Sequence, residues 1–143
     1  MICKVQENDY PRLQQIWENA VRNTHDFLEP NDFEYYKSQL PVYFKHVDLY
    51  AYKDESGEAR GFLGISVDRI EMLFVEDSLR GTGIGKTLVQ FAVSDLGACK
   101  VDVNEQNKQA VGFYLHLGFK TMGRSEFDGD GRHYPLLHME RNV

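Results

Sequence analysis

The stretch EMLFVEDSLRGTGIGKT, from Glu71 to Thr87, constrains the fold more than any other part of the chain. An apolar run of strand length leads into Gly81, Gly83 and Gly85, and a helical pattern of apolar residues follows. A strand, a glycine turn and a helix N-terminus in that order converge unpaired backbone N–H groups on one point, which makes a ready anion site. The glycines allow close backbone approach, and Arg80 and Lys86 add positive charge. Two familiar phosphate loops can be tested by counting. A nucleoside-triphosphate loop that ends in Gly85-Lys86-Thr87 requires glycine at position 80, which is Arg80. A G-x-G-x-x-G loop begun at Gly81 or at Gly83 meets Lys86 or Leu88 where the third glycine belongs. Each pattern fails by one residue.

Around this loop the periodicity predicts one compact domain over residues 1–143, with the order β α α β β β α β α β β. ICKVQ, residues 2–6, reads as a short strand. Asp9-Tyr10-Pro11 opens a helix with aspartate as its cap, and Leu13, Ile16, Trp17, Ala20 and Val21 follow at helical spacing. A helical stripe over residues 31–46 contains Pro41, which predicts two short pieces. Strands follow over 47–52, 60–67 and 70–75, the first two joined at DESGE. The helix after the glycine loop stops at Gly97, a strand covers 99–103, and Asn107 to Leu117 is the last helix. A hairpin about DGDG closes the chain.

Charge and cysteine usage narrow the function. The net charge is −6, with no cluster of Lys and Arg, which argues against nucleic acid; it reads first as ordinary solubility and only mildly favours a cationic partner. Cys3 and Cys99 are the only cysteines and read as reduced structural thiols, and the five histidines have no metal-ligand spacing, so no metal is expected. No apolar run is long enough to span a bilayer and MICKVQENDY lacks the features of a signal peptide, so a cytoplasmic protein with no membrane partner is expected.

The segment R-G-T-G-I-G after a strand resembles the [QR]-x-x-G-x-[GA] signature of the GNAT acyl-CoA N-acetyltransferases, with Arg80, Gly83 and Gly85 on the defining positions. The pattern N-x-x-A-x-x-x-Y-x-x-x-G-F is met by Asn107, Ala110, Tyr114, Gly118 and Phe119. The phrases THDFL, VNEQN, QAVGFY, GRSE and YPLL are similar to the bacterial YjaB-type enzymes, a group that acts on protein lysines. The resemblance implies an α/β fold (α+β in some schemes), the GNAT fold, with a mixed, mostly antiparallel sheet and helices on both faces. It implies acetyl-CoA as co-substrate. The coenzyme A pyrophosphate would be gripped by Arg80, Gly81, Thr82, Gly83, Ile84, Gly85 and Lys86, and the pantetheine arm would pair with Leu73, Phe74 and Val75. Asn107 would hydrogen-bond the cofactor, cap its helix, or do both. Tyr114 would be the acid that protonates the departing thiolate.

The remaining roles are less sharply marked. A primary amine must lose a proton before attack, and Glu71, which interrupts an apolar strand in alternation with Leu73 and Val75, is the favoured base. Glu126, His25 and His116 are the other candidates. His25, Phe27 and Tyr134 are candidate acceptor-pocket residues, each with ordinary packing or capping as the alternative, and the aromatic cluster Phe33, Tyr35, Tyr36, Tyr43 and Phe44 reads as core. The acceptor is expected to be a protein lysine; a small amine such as a polyamine, an amino acid or an aminoglycoside, and a non-catalytic acyl-CoA sensor, stay open. Oligomeric state has no signature in the sequence.

Overall fold

A computed structural model describes residues 1–142. The elements run β1 (Ile2–Lys4), α1 (Tyr10–Thr24), α2 (Pro30–Lys45), β2 (Asp48–Lys53), β3 (Ala59–Ser66), β4 (Arg69–Val75), α3 (Ile84–Leu96), β5 (Lys100–Asn104), α4 (Lys108–His116), β6 (Phe119–Ser125) and β7 (Leu136–Arg141). Short 3-10 turns precede α1 and follow β4. The seven strands form one sheet in the order β1-β2-β3-β4-β5-β7-β6. All pairings are antiparallel except β4 with β5.

Alternation along the central strands divides the core between the two faces. Leu63, Ile65, Ile70, Val101 and Val103 pack against α3 and α4, where Leu88, Val89, Ala92 and Tyr114 meet them. Leu49, Ala51 and Phe62 face α1 and α2, against Leu13, Ile16, Trp17, Phe33, Leu40 and Phe44. Among the described residues no helix is long and apolar enough to cross a membrane, and Cys3 and Cys99 are not bonded to each other.

Two expectations change. Pro41 does not divide α2, which is continuous from Pro30 to Lys45. Pro41 lies on the exposed side, so water can reach the carbonyl left without its helical donor, while Leu40 and Phe44 anchor the turns on either side. Asp9 does not cap α1 with its side chain; its carboxylate accepts from Gln6 N at 2.9 Å and closes the preceding turn. The final hairpin does turn at DGDG, where Gly131 N donates to Asp128 O at 3.0 Å, and this turn lies within a loop over residues 126–135 that reaches α2.

The β3–β4 turn places Val67 at φ 56°, with 90% of its surface exposed. A β-branched residue is strained there and gains no packing in return. Val67→Asn is expected to raise stability by about 1 kcal/mol in urea unfolding, from relief of left-handed strain; no gain would mean that the strain is not borne at this residue.

Candidate active site

β4 and β5 pair only at Arg69–Lys100 and Ile70–Val101. β4 continues on β3 through Val75, while β5 follows β7 through Asn104. The two strands therefore separate, and the edge of β4 from Leu73 to Val75 opens onto a cleft of about 930 Å³. One wall is the loop after β4 and the start of α3, and the other is α4.

The loop is built to present donors. Asn19 of α1 accepts from Asp77 N at 2.8 Å, which fixes where the loop leaves the strand. Gly81 and Gly83 have φ of 83° and 93°, and a Cβ at either would meet no protein atom within 4 Å. Their open side is thus ligand space rather than packing space. The first helical bond of α3 is donated by Thr87 N to Gly83 O. Among the described residues, the N–H groups of Gly81, Gly83, Ile84, Gly85 and Lys86 have no protein acceptor.

Not every expected loop residue contributes in the same way. Thr82 is exposed and folds back on its own loop: its amide and hydroxyl both donate to Leu79 O, and it does not line the cleft. The Ile84 side chain is buried beneath α3, leaving only its amide available. Arg80 is ion-paired with Asp77 at 2.9 Å and donates to Gln109 of α4, so it ties the two walls together. Lys86 lines the cleft without an ion-pair partner among the described residues. It is the free cation beside the helix N-terminus.

Across the cleft, Asn107 Oδ1 accepts from Ala110 N at 3.2 Å and caps α4, while Asn107 also lines the cleft. Tyr114 is 5% exposed, with its ring packed edge-on against Phe113 and Phe119. It lines the cleft, and its hydroxyl has no protein hydrogen-bond partner among the described residues. Burial pushes its pKa upward, so the phenol stays protonated at neutral pH.

A second cavity of about 230 Å³ adjoins the first on the α1–α2 side. Glu71 lines it for a reason hidden from the sequence pattern. In the β3–β4 register Gly64 faces Met72 and Ile65 faces Ile70, so Glu71 is the extra residue of a β-bulge. The bulge breaks alternation: Ile70, Leu73 and Val75 pack toward α3, and Glu71 opens beside Met72 and Phe74. Its expected alignment with Leu73 and Val75 is therefore wrong. The pocket walls partly desolvate its carboxylate and raise its pKa, with Arg69 opposing and Asp102 reinforcing the shift. Arg69 is itself held by Asp102 at 2.8 Å, and Asp102 continues through His138 to Ser125 across the sheet.

The second cavity holds Asp128 as well as Glu71, with Tyr36, Tyr43, Tyr134 and Asn104, and no Lys or Arg lines it. Its outer wall is the 126–135 loop pinned to α2. Tyr36 donates to Asp128, Tyr43 donates to Asp130 at 2.8 Å, and Arg132 pairs with Asp32 at 2.7 Å. Tyr134 donates to Asp32, whose carboxylate is held below the usual range by that bond first and by Arg132 second. Tyr36 and Tyr43 are thus pocket wall as well as packing, and Asn104 and Asp128 are pocket residues that sequence reasoning missed.

Of the other candidates, His25 and Tyr134 line the second cavity. Phe27 lines neither cavity and packs behind both, with ring centroids 5.2 Å from His25 and 6.2 Å from Tyr134. Glu126 is excluded as a base, because it is bound to Arg124 and His133 and lies in neither cavity. His116 lines the first cleft and does not reach the second cavity. No group of three potential metal ligands occurs among the described residues.

Residues 14–142 match the family described as Acetyltransferase (GNAT) domain. The peptidyl-lysine N-acetyltransferase YjaB of Escherichia coli K12 is 38% identical over 127 residues, covering 89% of this chain and 86% of the relative. The solution structure of apo YjaB from the same organism superposes with a TM-score of 0.91 at 35% identity, covering 98% of this chain and 95% of that one. The PaiA N-acetyltransferase of Thermoplasma acidophilum, solved with coenzyme A, shares the fold at a TM-score of 0.76 and 18% identity, over 99% and 98% of the two chains.

The raised pKa of Glu71 has a sign that stability measurements can read. Between the unfolded carboxylate value, roughly 4.3, and the higher folded value, the native state binds more protons than the unfolded state, so Glu71 costs stability as pH rises through that window. Glu71→Gln removes the dependence. The melting temperature of the variant relative to the parent should be higher at pH 7 than at pH 4, and a pH-independent difference would show that the carboxylate is not desolvated.

Proposed function

The chain belongs to the GNAT acetyltransferase family, and from that premise we propose that it transfers acetyl from acetyl-CoA directly to the side-chain amine of protein lysines. The observation that carries this reading is the pair of adjoining cavities with opposite electrostatics. One presents five unpaired amides and Lys86, which suits a pyrophosphate. The other presents Glu71 and Asp128 with no Lys or Arg among the described residues, which suits an ammonium group. At about 230 Å³ the second cavity fits one extended side chain better than a whole aminoglycoside. The relatives named for peptidyl-lysine acetylation support the same acceptor.

In this reading the open edge of β4 from Leu73 to Val75 hydrogen-bonds the pantetheine arm as an added strand, and the Asn107 side-chain amide faces the same arm. Acetyl-CoA supplies an activated thioester; the chain's own residues supply orientation and proton transfer. A lysine amine has a pKa of roughly 10.4, so at neutral pH only about one in a few thousand is free to attack without help. Glu71 is the proton acceptor, and its raised pKa strengthens it as a base. The N–C bond forms as the C–S bond breaks. Two protons leave the ammonium nitrogen in all, each passing through Glu71 to solvent; Tyr114 gives one to the departing sulfur and is reprotonated from solvent, so one net proton is released.

The test is acetylation of a lysine peptide against a panel of small amines, with acetyl-CoA as donor. Turnover of small amines alone would overturn the lysine assignment. Tyr114→Phe retains both ring contacts and should lower kcat by roughly 10- to 10³-fold with little change in coenzyme A affinity. Because the hydroxyl has no protein partner, the melting temperature should hardly move; parent-level kcat would remove the acid role. For the loop, Gly83→Ala should weaken coenzyme A binding, measured by calorimetry, by more than tenfold. Gly97→Ala is the control: it also places a Cβ at positive φ, 71°, but at the far end of α3. It should lose comparable stability, roughly 1 kcal/mol, and bind coenzyme A normally.

A further inference from the structure

The two cavities meet at His25 and Phe74, which among the described residues are the only ones that line both. Phe74 offers an apolar ring, so the polar chemistry at the junction belongs to His25. This histidine follows the last turn of α1, where its N–H donates to Val21 O at 2.9 Å and fixes the backbone. Phe27 backs the ring at a centroid distance of 5.2 Å.

Hydrogen bonding settles which ring nitrogen carries the proton. Thr24 Oγ1 lies 2.7 Å from Ala20 O, which can only accept, so the single hydroxyl proton is directed there. The same Oγ1 lies 2.7 Å from His25 Nδ1. With its proton committed, Thr24 can only accept at that contact, and Nδ1 must be the donor. The reverse arrangement would leave two oxygens in contact without a proton between them. Nε2 therefore carries a lone pair, and it has no protein partner among the described residues. Desolvation lowers the pKa of the ring to about 4, with Asp26 opposing weakly, so the ring is neutral at pH 7. Glu71 and Tyr134 share the second cavity with it.

We propose that His25 Nε2 accepts a hydrogen bond from the attacking nitrogen of the acceptor amine and holds it at the passage between the two cavities, making His25 a further catalytic residue. The proposal rests on the reading that the cavities hold acyl donor and amine acceptor. A free amine has two N–H bonds and one lone pair. Fixing one N–H on Nε2 leaves the lone pair to be aimed at the thioester carbonyl, a gain in orientation rather than in basicity. His25 neither gains nor loses a proton: Glu71 receives the one that leaves nitrogen, and Tyr114 supplies sulfur. Thr24 acts through His25 as a positioning residue.

The test joins a spectroscopic and a kinetic measurement. Long-range ¹H–¹⁵N correlation of the histidine-labelled protein at pH 7 is expected to show His25 as the Nδ1–H tautomer; an Nε2–H tautomer or an imidazolium overturns the proposal. Thr24→Val should shift the ring toward Nε2–H. With a lysine peptide, His25→Phe should lower kcat roughly 10- to 100-fold and leave coenzyme A affinity within threefold, and His25→Gln, which restores an acceptor oxygen, should recover part of the loss. Parent-level kcat in His25→Phe overturns the role of His25 while leaving the acetyltransferase reading intact. A parent protein that acetylates no amine defeats that reading, and the proposal falls with it.

Discussion

Beyond Ile70 and Val101, β4 keeps its hydrogen bonds to β3 on one edge and has no neighbouring strand on the other. The divergence is maintained by competition. β4 has six register pairs with β3, β5 has five with β7, and only two join β4 to β5. With a net value of about 1 kcal/mol per hydrogen bond, each strand is held more firmly to its outer neighbour than to its inner one. The resulting gap is the cleft, and the donors and acceptors along Leu73 to Val75 are left for a ligand. The glycine loop, α4 and the second cavity all take their positions from this separation.

The separation also sorts charge. α3 begins at the mouth of the gap, so its unpaired amides and Lys86 give that end positive potential. The bulge at Glu71 turns a carboxylate to the opposite face, and the pinned 126–135 loop adds Asp128. The two ends of one passage thereby suit ligands of opposite charge. Wrong occupancy is opposed by like charge at both ends. The overall charge of −6 adds only a weak bias toward cations.

The second cavity depends on contacts between residues far apart in sequence. Asp32 receives Arg132 and Tyr134, while Tyr36 and Tyr43 hold Asp128 and Asp130. Through these bonds α2 supports the outer wall, and Phe27 supports His25 and Tyr134 from behind. α1 and its C-cap contribute at two points of the site: Asn19 fixes the loop after β4, and His25 stands where the cavities join. Rigid elements therefore carry the groups at the transfer point, which suits a reaction governed by orientation.

Local rules determined much of this protein. Gly81 and Gly83 take positive φ, and with Gly85 between a strand and a helix they mark a loop suited to an anion, because backbone freedom and exposed amides are properties of a few adjacent residues. Asn107, Ala110 and Tyr114 share a helical face for the same local reason, and the element order followed from periodicity. Tertiary structure decided the rest. Alternation placed Glu71 with Leu73 and Val75, but a bulge set by the β3 register moved it to the other face. Pro41 is a helix breaker by propensity, yet packing on both sides of it and its solvent exposure let α2 continue. Phe27 and Glu126 were plausible by residue type, and only the cavity walls show that the first is a support and the second is bound elsewhere. Sequence fixes what depends on neighbours along the chain; the register of β4, the tautomer of His25 and the closure of the acceptor pocket depend on atoms brought together by the sheet.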